Sequence, residues 1–349
     1  MSLSVDIEKQ LGAFHLRVQF DTDDQPLALL GASGCGKSLT LRCIAGILRP
    51  DRGTIVLNGR TLFDSAKRID LPPQQRHVGY LFQQYALFPN LTVRQNIACA
   101  VSDRRKRKQI TEEKLRQFRL EAIAGLRPGQ ISGGQQQRTA LARILASEPA
   151  AILLDEPLSA LDSYLRYQLE LELAETLEQF SGPVIWVSHD RGEAFRNCKN
   201  VCVLDNGTSQ PLIPLDTLFR APGTEAAARL SGCKNYADAV PRGQAVYLPQ
   251  WELTLPCGRE IPAGVDRIGI RAHHILPAAA GIPCRVLRVI EDVFSTIVLL
   301  LPESAREGAP PLRMELEKEV WQQVPDKKHL SVSIDPACIL LLQSKGGPL

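Results

Sequence analysis

Residues 31–38 read GASGCGKS and fit the spacing G-x-x-x-x-G-K-[ST]. Residue types in this order make a phosphate cradle when a strand runs into them and a helix leaves them. Gly31, Gly34 and Gly36 let the backbone of Ala32, Ser33 and Cys35 curl, so that N–H groups face phosphate oxygens without Cβ clashes. The helix start behind them adds unsatisfied donors and a partial positive charge. Lys37 has the reach to touch terminal phosphates, and the Ser38 hydroxyl can ligate Mg2+. The flanks fit. PLALLG reads as a buried strand, and SLTLRCIAGIL places Leu41, Ile44, Ala45 and Leu48 at helical spacing. The plain alternative is a glycine-rich turn that binds nothing.

A second chemical pair lies in AILLDEP, residues 151–157. An apolar strand delivers Asp155 and Glu156 at its carboxyl end, where α/β sheets bind ligands. Asp155 suits a Mg2+ ligand. Glu156 suits a general base that activates or orients an attacking water. Taken alone, two carboxylates here could equally cap the next helix; the upstream cradle favours the chemical role. A third stretch, ISGGQQQR at 131–138, sits at a predicted helix start. Each glycine there weakens a helix by roughly 1 kcal/mol relative to alanine, and three glutamines have no apolar face to bury.

These residues need elements to hold them. Strand-like runs recur at 53–59, 77–82, 150–155 and 183–189, with helical segments between several of them. That pattern predicts a mostly parallel sheet covered on both faces. Asn206-Gly207 between two apolar runs predicts a hairpin. After about residue 220 the texture changes to Ala, Gly and Pro, then to short alternating runs such as RIGIRAHHIL, CRVLRVIED and STIVLLL. Several short strands at such spacing predict a small β-barrel or sandwich. The expected fold is an α/β P-loop nucleotide-binding domain with a helical subdomain over residues 1–234, then a small all-β, barrel-like domain over 235–349.

Composition narrows the class. The chain has 349 residues, 44% hydrophobic and 23% charged, with a net charge of +3. That charge is too mild to make nucleic acid the main partner. No apolar run approaches the ~20 residues of a membrane helix, and MSLSVDIEKQ lacks a signal-peptide pattern. Nine scattered cysteines without a CxxC pair argue for reduced thiols rather than a disulfide framework or zinc site. One basic run, Arg104-Arg105-Lys106-Arg107-Lys108, precedes a helix that Thr111 could cap, with Glu112 and Glu113 at its positive end. It reads as a solvated loop, with an anionic partner such as a lipid headgroup as the alternative.

The order GASGCGKS, FQQ, ISGGQQQR, ILLDEP, LSALD, VSHD resembles the nucleotide-binding subunit of an ATP-binding cassette transporter, over about the first two thirds of the chain. The resemblance implies ATP and Mg2+ as ligands and ATP hydrolysis as the activity. It also implies a homodimer in which Ser132, Gly133, Gly134 and Gln135 of one copy cover the ATP held by the other. Gln83 matches the glutamine that senses Mg2+ and water, and YALFPNLTV after it would face membrane subunits. Ser159 to Asp162 match the loop that links the two sites, and His189 matches the histidine that contacts the γ-phosphate. Three positions depart from the pattern. Ile131 replaces the usual leucine, Leu39 stands where a second hydroxyl is common, and Leu11 occupies the position of the usual adenine-stacking aromatic, leaving nearby Phe14 as the candidate.

The C-terminal segments APGTEAAARLSGCKN, RIGIRAHHI and CRVLRVIEDVFSTIVLLL resemble the accessory β domain (TOBE-like) of bacterial importers of sugars, polyamines, sulfate, iron and molybdate. The compact form most resembles molybdate importers, with sulfate importers next. In that family such a domain can bind the oxyanion and inhibit transport; His273 and His274 are candidate ligands here or simply a polar turn. The implied place is the cytoplasmic face of the membrane, docked on transmembrane permease subunits and indirectly served by an extracellular binding protein. Two rivals are a non-transport ABC ATPase, which usually carries a coiled-coil insertion or second cassette, and a small-metabolite P-loop kinase, which has no need of ISGGQQQR or LSALD.

Overall fold

The computed structural model describes residues 1–159 and 163–344, and for 163–165 the backbone alone. Asp162, expected in the linking loop, lies outside the described residues together with Ala160 and Leu161. The chain divides into two compact units, Met1–Leu215 and Asp216–Leu349.

The first unit opens with β1 (Leu3–Leu11) and β2 (Phe14–Thr22), antiparallel from Leu3 opposite Thr22 to Leu11 opposite Phe14. Alternation sends Leu3, Val5, Ile7, Leu16, Val18 and Phe20 into the core. Then follow β3 (Leu27–Gly31), α1 (Lys37–Ala45), β4 (Arg52–Leu57), β5 (Arg60–Asp64), β6 (Ile69–Asp70), α2 (Pro73–Arg76) and β7 (Val78–Leu81). Three helices come next, α3 (Val93–Ala98), α4 (Arg107–Gln117) and α5 (Gly133–Ala146), and they pack on one another. The unit continues through β8 (Ala151–Asp155), α6 (Ser163–Glu178), β9 (Val184–Val187), α7 (Arg191–Asn197), β10 (Asn200–Asp205), β11 (Thr208–Ser209) and β12 (Ile213–Pro214).

All these strands form one twelve-stranded sheet, in the order β6-β5-β4-β1-β2-β11-β10-β3-β9-β8-β7, with β12 on β10. The run β10-β3-β9-β8-β7 is parallel. Its inner strands LALLG, AILLD and VIWV are buried at every position, as strands covered on both faces must be. From β6 to β2 the pairings are antiparallel, as are β11 and β12 on β10, while β11 meets β2 in parallel; the sheet is mixed, which corrects the expectation of a mostly parallel one. The reason is connection length. β1 to β2 and β4 to β5 are joined by tight turns, whereas a parallel crossover needs a dozen or more residues. The Asn206-Gly207 hairpin is present between β10 and β11, with both turn residues at positive φ (+46° and +85°).

The second unit begins with α8 (Leu215–Arg220) and α9 (Glu225–Leu230), then β13 (Asn235–Asp238), β14 (Val240–Arg242), β15 (Ala245–Leu248), β16 (Leu253–Pro256), β17 (Arg267–Ile270), β18 (Ile275–Ala278), β19 (Ile282–Glu291), β20 (Ser295–Pro302), β21 (Leu312–Glu317), α10 (Lys318–Gln323), β22 (His329–Ile334) and β23 (Leu340–Leu342). The strands form three sheets: β13-β17-β23, β14-β15-β16 and β18-β22-β19-β20-β21. They share a core that includes Trp251, Ile268, Ile275, Val298, Met314 and Val332. The expected β sheets are therefore present, but the region is not all-β, since α10 lies between β21 and β22, and its ladders stay separate: β18 and β21 end the largest sheet without pairing to each other. The units divide at 215/216 rather than at 234/235. Residues 216–234 go with the β strands because Glu225 N–H donates to the Gln343 carbonyl (3.1 Å), Gln343 N–H donates to the Gly223 carbonyl (3.0 Å), and Arg267 pairs with Glu225 at 2.6 Å. Among the described residues no helix is long and apolar enough to cross a membrane.

Candidate active site

The glycine-rich loop joins the carboxyl end of β3 to α1. Gly36 sits at φ +108°, and a Cβ there would fall 2.4 Å from Leu16 Cδ1. A Cβ on Gly31 would fall 2.4 Å from the Leu204 carbonyl oxygen. Gly34 is left-handed (φ +79°) with open space beside it. The loop path is thus one that glycine fits: at Gly31 and Gly36 a side chain would collide with protein packed against the loop, and at Gly34 and Gly36 the backbone is left-handed. Lys37, 7% exposed, turns back so that Nζ donates to the carbonyls of Gly31 (2.7 Å) and Ala32 (3.0 Å). Its third donor makes only a long contact to Cys35 Sγ (3.9 Å), a weak partner that an anion can replace. Burial raises the Cys35 thiol above its ordinary pKa, against the opposing pull of Lys37, and keeps it protonated in the cradle floor.

The other end of α1 is held by a residue that sequence motifs do not mark. Arg76, 1% exposed, donates to the carbonyls of Cys43 (2.8 Å), Ile44 (2.9 Å) and Leu71 (2.7 Å) and to Asp70 (2.9 Å). It satisfies the open carbonyls at the end of α1 and sets a positive charge on the negative end of the helix dipole.

The acidic pair stands at the carboxyl end of β8, beside the cradle. Asp155, 5% exposed, accepts from Ser38 Oγ (2.8 Å) on one oxygen and from the Tyr80 hydroxyl (2.7 Å) on the other. Tyr80 projects from β7, and burial, then the nearby Asp155, raises its pKa strongly, so it stays a neutral donor. Motif spacing gave no sign of this residue. Glu156 is next, at φ +49°, a region L-residues rarely occupy. Its Oε2 lies 3.1 Å from Gln83 Nε2 and 3.5 Å from His189 Nδ1. Gln83 also reaches Ser159 Oγ at 3.4 Å.

His189 follows β9 and is exposed, but its backbone is anchored. Glu193, buried in α7, accepts from Trp186 Nε1 (2.7 Å) and Ser188 Oγ (2.9 Å), and Ser188 Oγ accepts from Asp190 N–H (2.9 Å). Burial pushes the Glu193 carboxyl above its ordinary value despite those two hydrogen bonds. Asp190 caps α7 through the N–H groups of Gly192 and Glu193. Glu193 is the third residue that motif reading passed over.

A cavity of about 350 Å³ results, lined by Ser33, Gly34, Gly36, Lys37, Ser38, Leu39, Glu156 and His189. The structure thus brings the cradle, the acidic pair, Gln83 and His189 together. It does not bring in Ser132, Gly133, Gly134 or Gln135. Those residues open α5, where Ser132 and Gln135 form a reciprocal capping box, and none of them lines the cavity. Phe14 is not in the wall either. It packs on the core, with Cζ 3.3 Å from where a Cβ on Gly36 would sit, and so supports the cradle from below. In the second unit, His273 and His274 lie in a short 3-10 turn with rings 4.3 Å apart. Burial and then His273 lower the His274 pKa, which disfavours the charged form.

Residues 17–159 match the family model described as ABC transporter. Molybdenum import ATP-binding protein ModC of Rhodospirillum rubrum is 36% identical over 330 residues, which cover 89% of each chain. Spermidine/putrescine import ATP-binding protein PotA of Methylococcus capsulatus is 42% identical over 297 residues, 80% of this chain and 76% of that one. The chain belongs to the ABC transporter family. A second ModC, from Paramagnetospirillum magneticum, is 36% identical over 223 residues, and the alignment spans 61% of its length. The ABC fold is also found in the ATP-binding cassette MJ0796, solved as a dimer in a post-hydrolysis state bound to ADP and Pi. That match has TM-score 0.51 and 27% identity, and covers 62% of this chain and 99% of the other. The ABC region lies within the first compact unit, where the cavity is. The cavity has the donor set for a nucleotide's phosphates: the Lys37 ammonium, a hydroxyl on Ser38 and the exposed residues Ser33 and Gly34 of the glycine-rich loop.

Proposed function

We propose that the protein is the ATP-hydrolysing subunit of an importer, working as a homodimer on the cytoplasmic face of the membrane beneath permease subunits. The observation that carries this reading is the convergence of Lys37, Ser38, Glu156 and His189 on one cavity, with Asp155 hydrogen-bonded to Ser38 and Gln83 to Glu156 behind them. The cradle N–H groups and Lys37 bind and orient the phosphates. Glu156 orients the attacking water and takes its proton, and its fixed neighbours Gln83 and His189 hold the carboxylate in line. His189 then faces the phosphoryl group. Positioning and charge stabilisation supply most of the catalysis in such transfers. A divalent cation would be held by the Ser38 hydroxyl and the Asp155 carboxylate, with Gln83 near, and would neutralise phosphate charge. The exposed N-terminus of α5 at Ser132 and Gly133 offers N–H donors to the nucleotide of a second copy.

The cargo we infer is molybdate, because the R. rubrum relative named for molybdenum import aligns over 89% of both chains. A polyamine is the second reading, favoured by the higher identity to PotA. The β unit would then be a TOBE-like regulatory domain, and His273 and His274 its candidate anion ligands. Calorimetric titration of the full chain with molybdate, tungstate, sulfate and spermidine tests this part. Saturable binding of molybdate and tungstate alone supports it. Binding of spermidine, or of sulfate in preference, overturns it.

A further inference from the structure

The basic run 104–108 takes no part in the site above. Arg104, Arg105, Lys106 and Lys108 are exposed, while Arg107 is half-buried and donates to the Val101 carbonyl (Nε 3.3 Å, Nη2 3.2 Å). Five cations therefore stand in five consecutive residues of a chain whose net charge is +3, and the remainder is net negative. The nearest carboxylates on α4 are engaged elsewhere: Glu112 with Arg94 and Glu113 with Lys114. Among the described residues, none of the four exposed cations forms an ion pair.

Their position is also locally unfavourable. α4 begins at Arg107 with Lys106 as its N-cap, without a side-chain cap and without an acidic residue in its first turn. Cations beside the positive end of a helix dipole repel it. The cluster is thus concentrated and set against the local electrostatics, with one carboxylate in its own loop, Asp103, which accepts from Arg105 N–H at 2.8 Å, to set against five cations. The only aromatic residue between 101 and 120 is Phe118, which is buried, so there is no platform on which bases could stack. What remains is recognition of negative charge on a surface.

We propose that Arg104, Arg105, Lys106 and Lys108 form a contact surface for the anionic phospholipid headgroups of the membrane on which the protein works, an inference that rests on the transporter reading. Each basic side chain near an anionic bilayer adds roughly the same increment to binding, and four together correspond to on the order of 1000-fold in partitioning. Salt weakens the contact because these charges are exposed.

The test is co-sedimentation of the full chain with vesicles of phosphatidylcholine alone or mixed with phosphatidylglycerol, at low and high salt. It is run beside the variant Arg104→Gln, Arg105→Gln, Lys106→Gln, Lys108→Gln. The expected result is binding to the phosphatidylglycerol vesicles only, lost at high salt and reduced on the order of 1000-fold in the variant. Thermal stability of the variant stays equal or rises, since its cations opposed the dipole. Equal sedimentation of wild type and variant overturns the proposal, and so does equal binding to neutral vesicles. Tighter, salt-sensitive binding of a duplex oligonucleotide than of the anionic vesicles overturns the lipid assignment. ATP hydrolysis is measured on the same preparations. An active protein that ignores the vesicles sinks the lipid surface alone, whereas an inactive wild type sinks the transporter reading.

Discussion

Replacing Tyr80 by phenylalanine removes one oxygen from the interior and leaves the ring in place. The hydroxyl it removes donates to Asp155 Oδ2 at 2.7 Å, and both residues are under a tenth exposed. A hydrogen bond to a charged group contributes about 1.5–3 kcal/mol net. Asp155 keeps its bond from Ser38 on the other oxygen, and the adjacent cavity admits water, which partly replaces the lost donor. The loss should therefore fall at the lower end, about 1.5 kcal/mol. A second effect follows from position. Asp155 is the carboxylate proposed to hold the divalent cation, and removing a hydrogen bond behind a ligand costs roughly tenfold in metal affinity. Urea unfolding at neutral pH reads the first effect, and the Mg2+ concentration for half-maximal ATP hydrolysis reads the second. Tyr80→Phe with stability changed by less than about 0.5 kcal/mol and an unmoved Mg2+ requirement would refute the role assigned to this hydroxyl.

Three further outcomes follow from the same structure. Glu193 is a carboxyl whose folded pKa is raised from 4.5 by burial, so its contribution to stability is present below that value and is lost as pH rises through the raised one. Glu193→Gln keeps an acceptor for Trp186 and a group for Ser188, and the fall in melting temperature from acid to neutral pH should flatten; an unchanged slope would show that Glu193 does not titrate as described. Arg76→Ala leaves the Ile44 and Leu71 carbonyls without this donor, while Asp70 keeps Arg49 and Cys43 keeps the Gly46 N–H, and a loss of about 2–3 kcal/mol is expected in urea unfolding, where a loss below about 1 kcal/mol would mean that Arg76 does not anchor the helix. Glu156→Gln should lower the rate of ATP hydrolysis at least about 100-fold with ATP binding retained, as read by single-turnover kinetics and nucleotide titration; near-normal turnover would remove Glu156 as the base.

The part of the site that rests on contiguous motifs was legible in the sequence. Cradle, acidic pair and histidine each sit at the carboxyl end of a fully buried strand, and short apolar runs with glycine or carboxylate at their ends announce that placement. The parts built by side chains arriving from elsewhere were not legible. Tyr80 is separated from Asp155 by 75 positions and Arg76 from Cys43 by 33, so only the sheet order makes them neighbours. Glu193 belongs to no motif, and its burial follows from partners that arrive from β9 and the turn after it, Trp186 and Ser188. Phe14 was assigned to a base by nearness in sequence to the expected position, whereas its ring packs under Gly36. The antiparallel part of the sheet was missed because apolar alternation does not state strand direction. The early unit boundary was missed because α8 and α9 carry no strand pattern of their own, although Glu225 and Gly223 tie them to Gln343.

The central claim is that one chain holds the catalytic cavity and a second copy completes it through Ser132 to Gln135. Sedimentation velocity of the Glu156→Gln protein, with and without saturating ATP and Mg2+, tests it most directly. The account predicts a monomer that becomes a stable dimer only with ATP, and that reverts to monomer when Gly133→Asp is added, since a carboxylate at this exposed position would repel the partner's nucleotide. A Glu156→Gln protein that binds ATP and stays monomeric at saturation would contradict it.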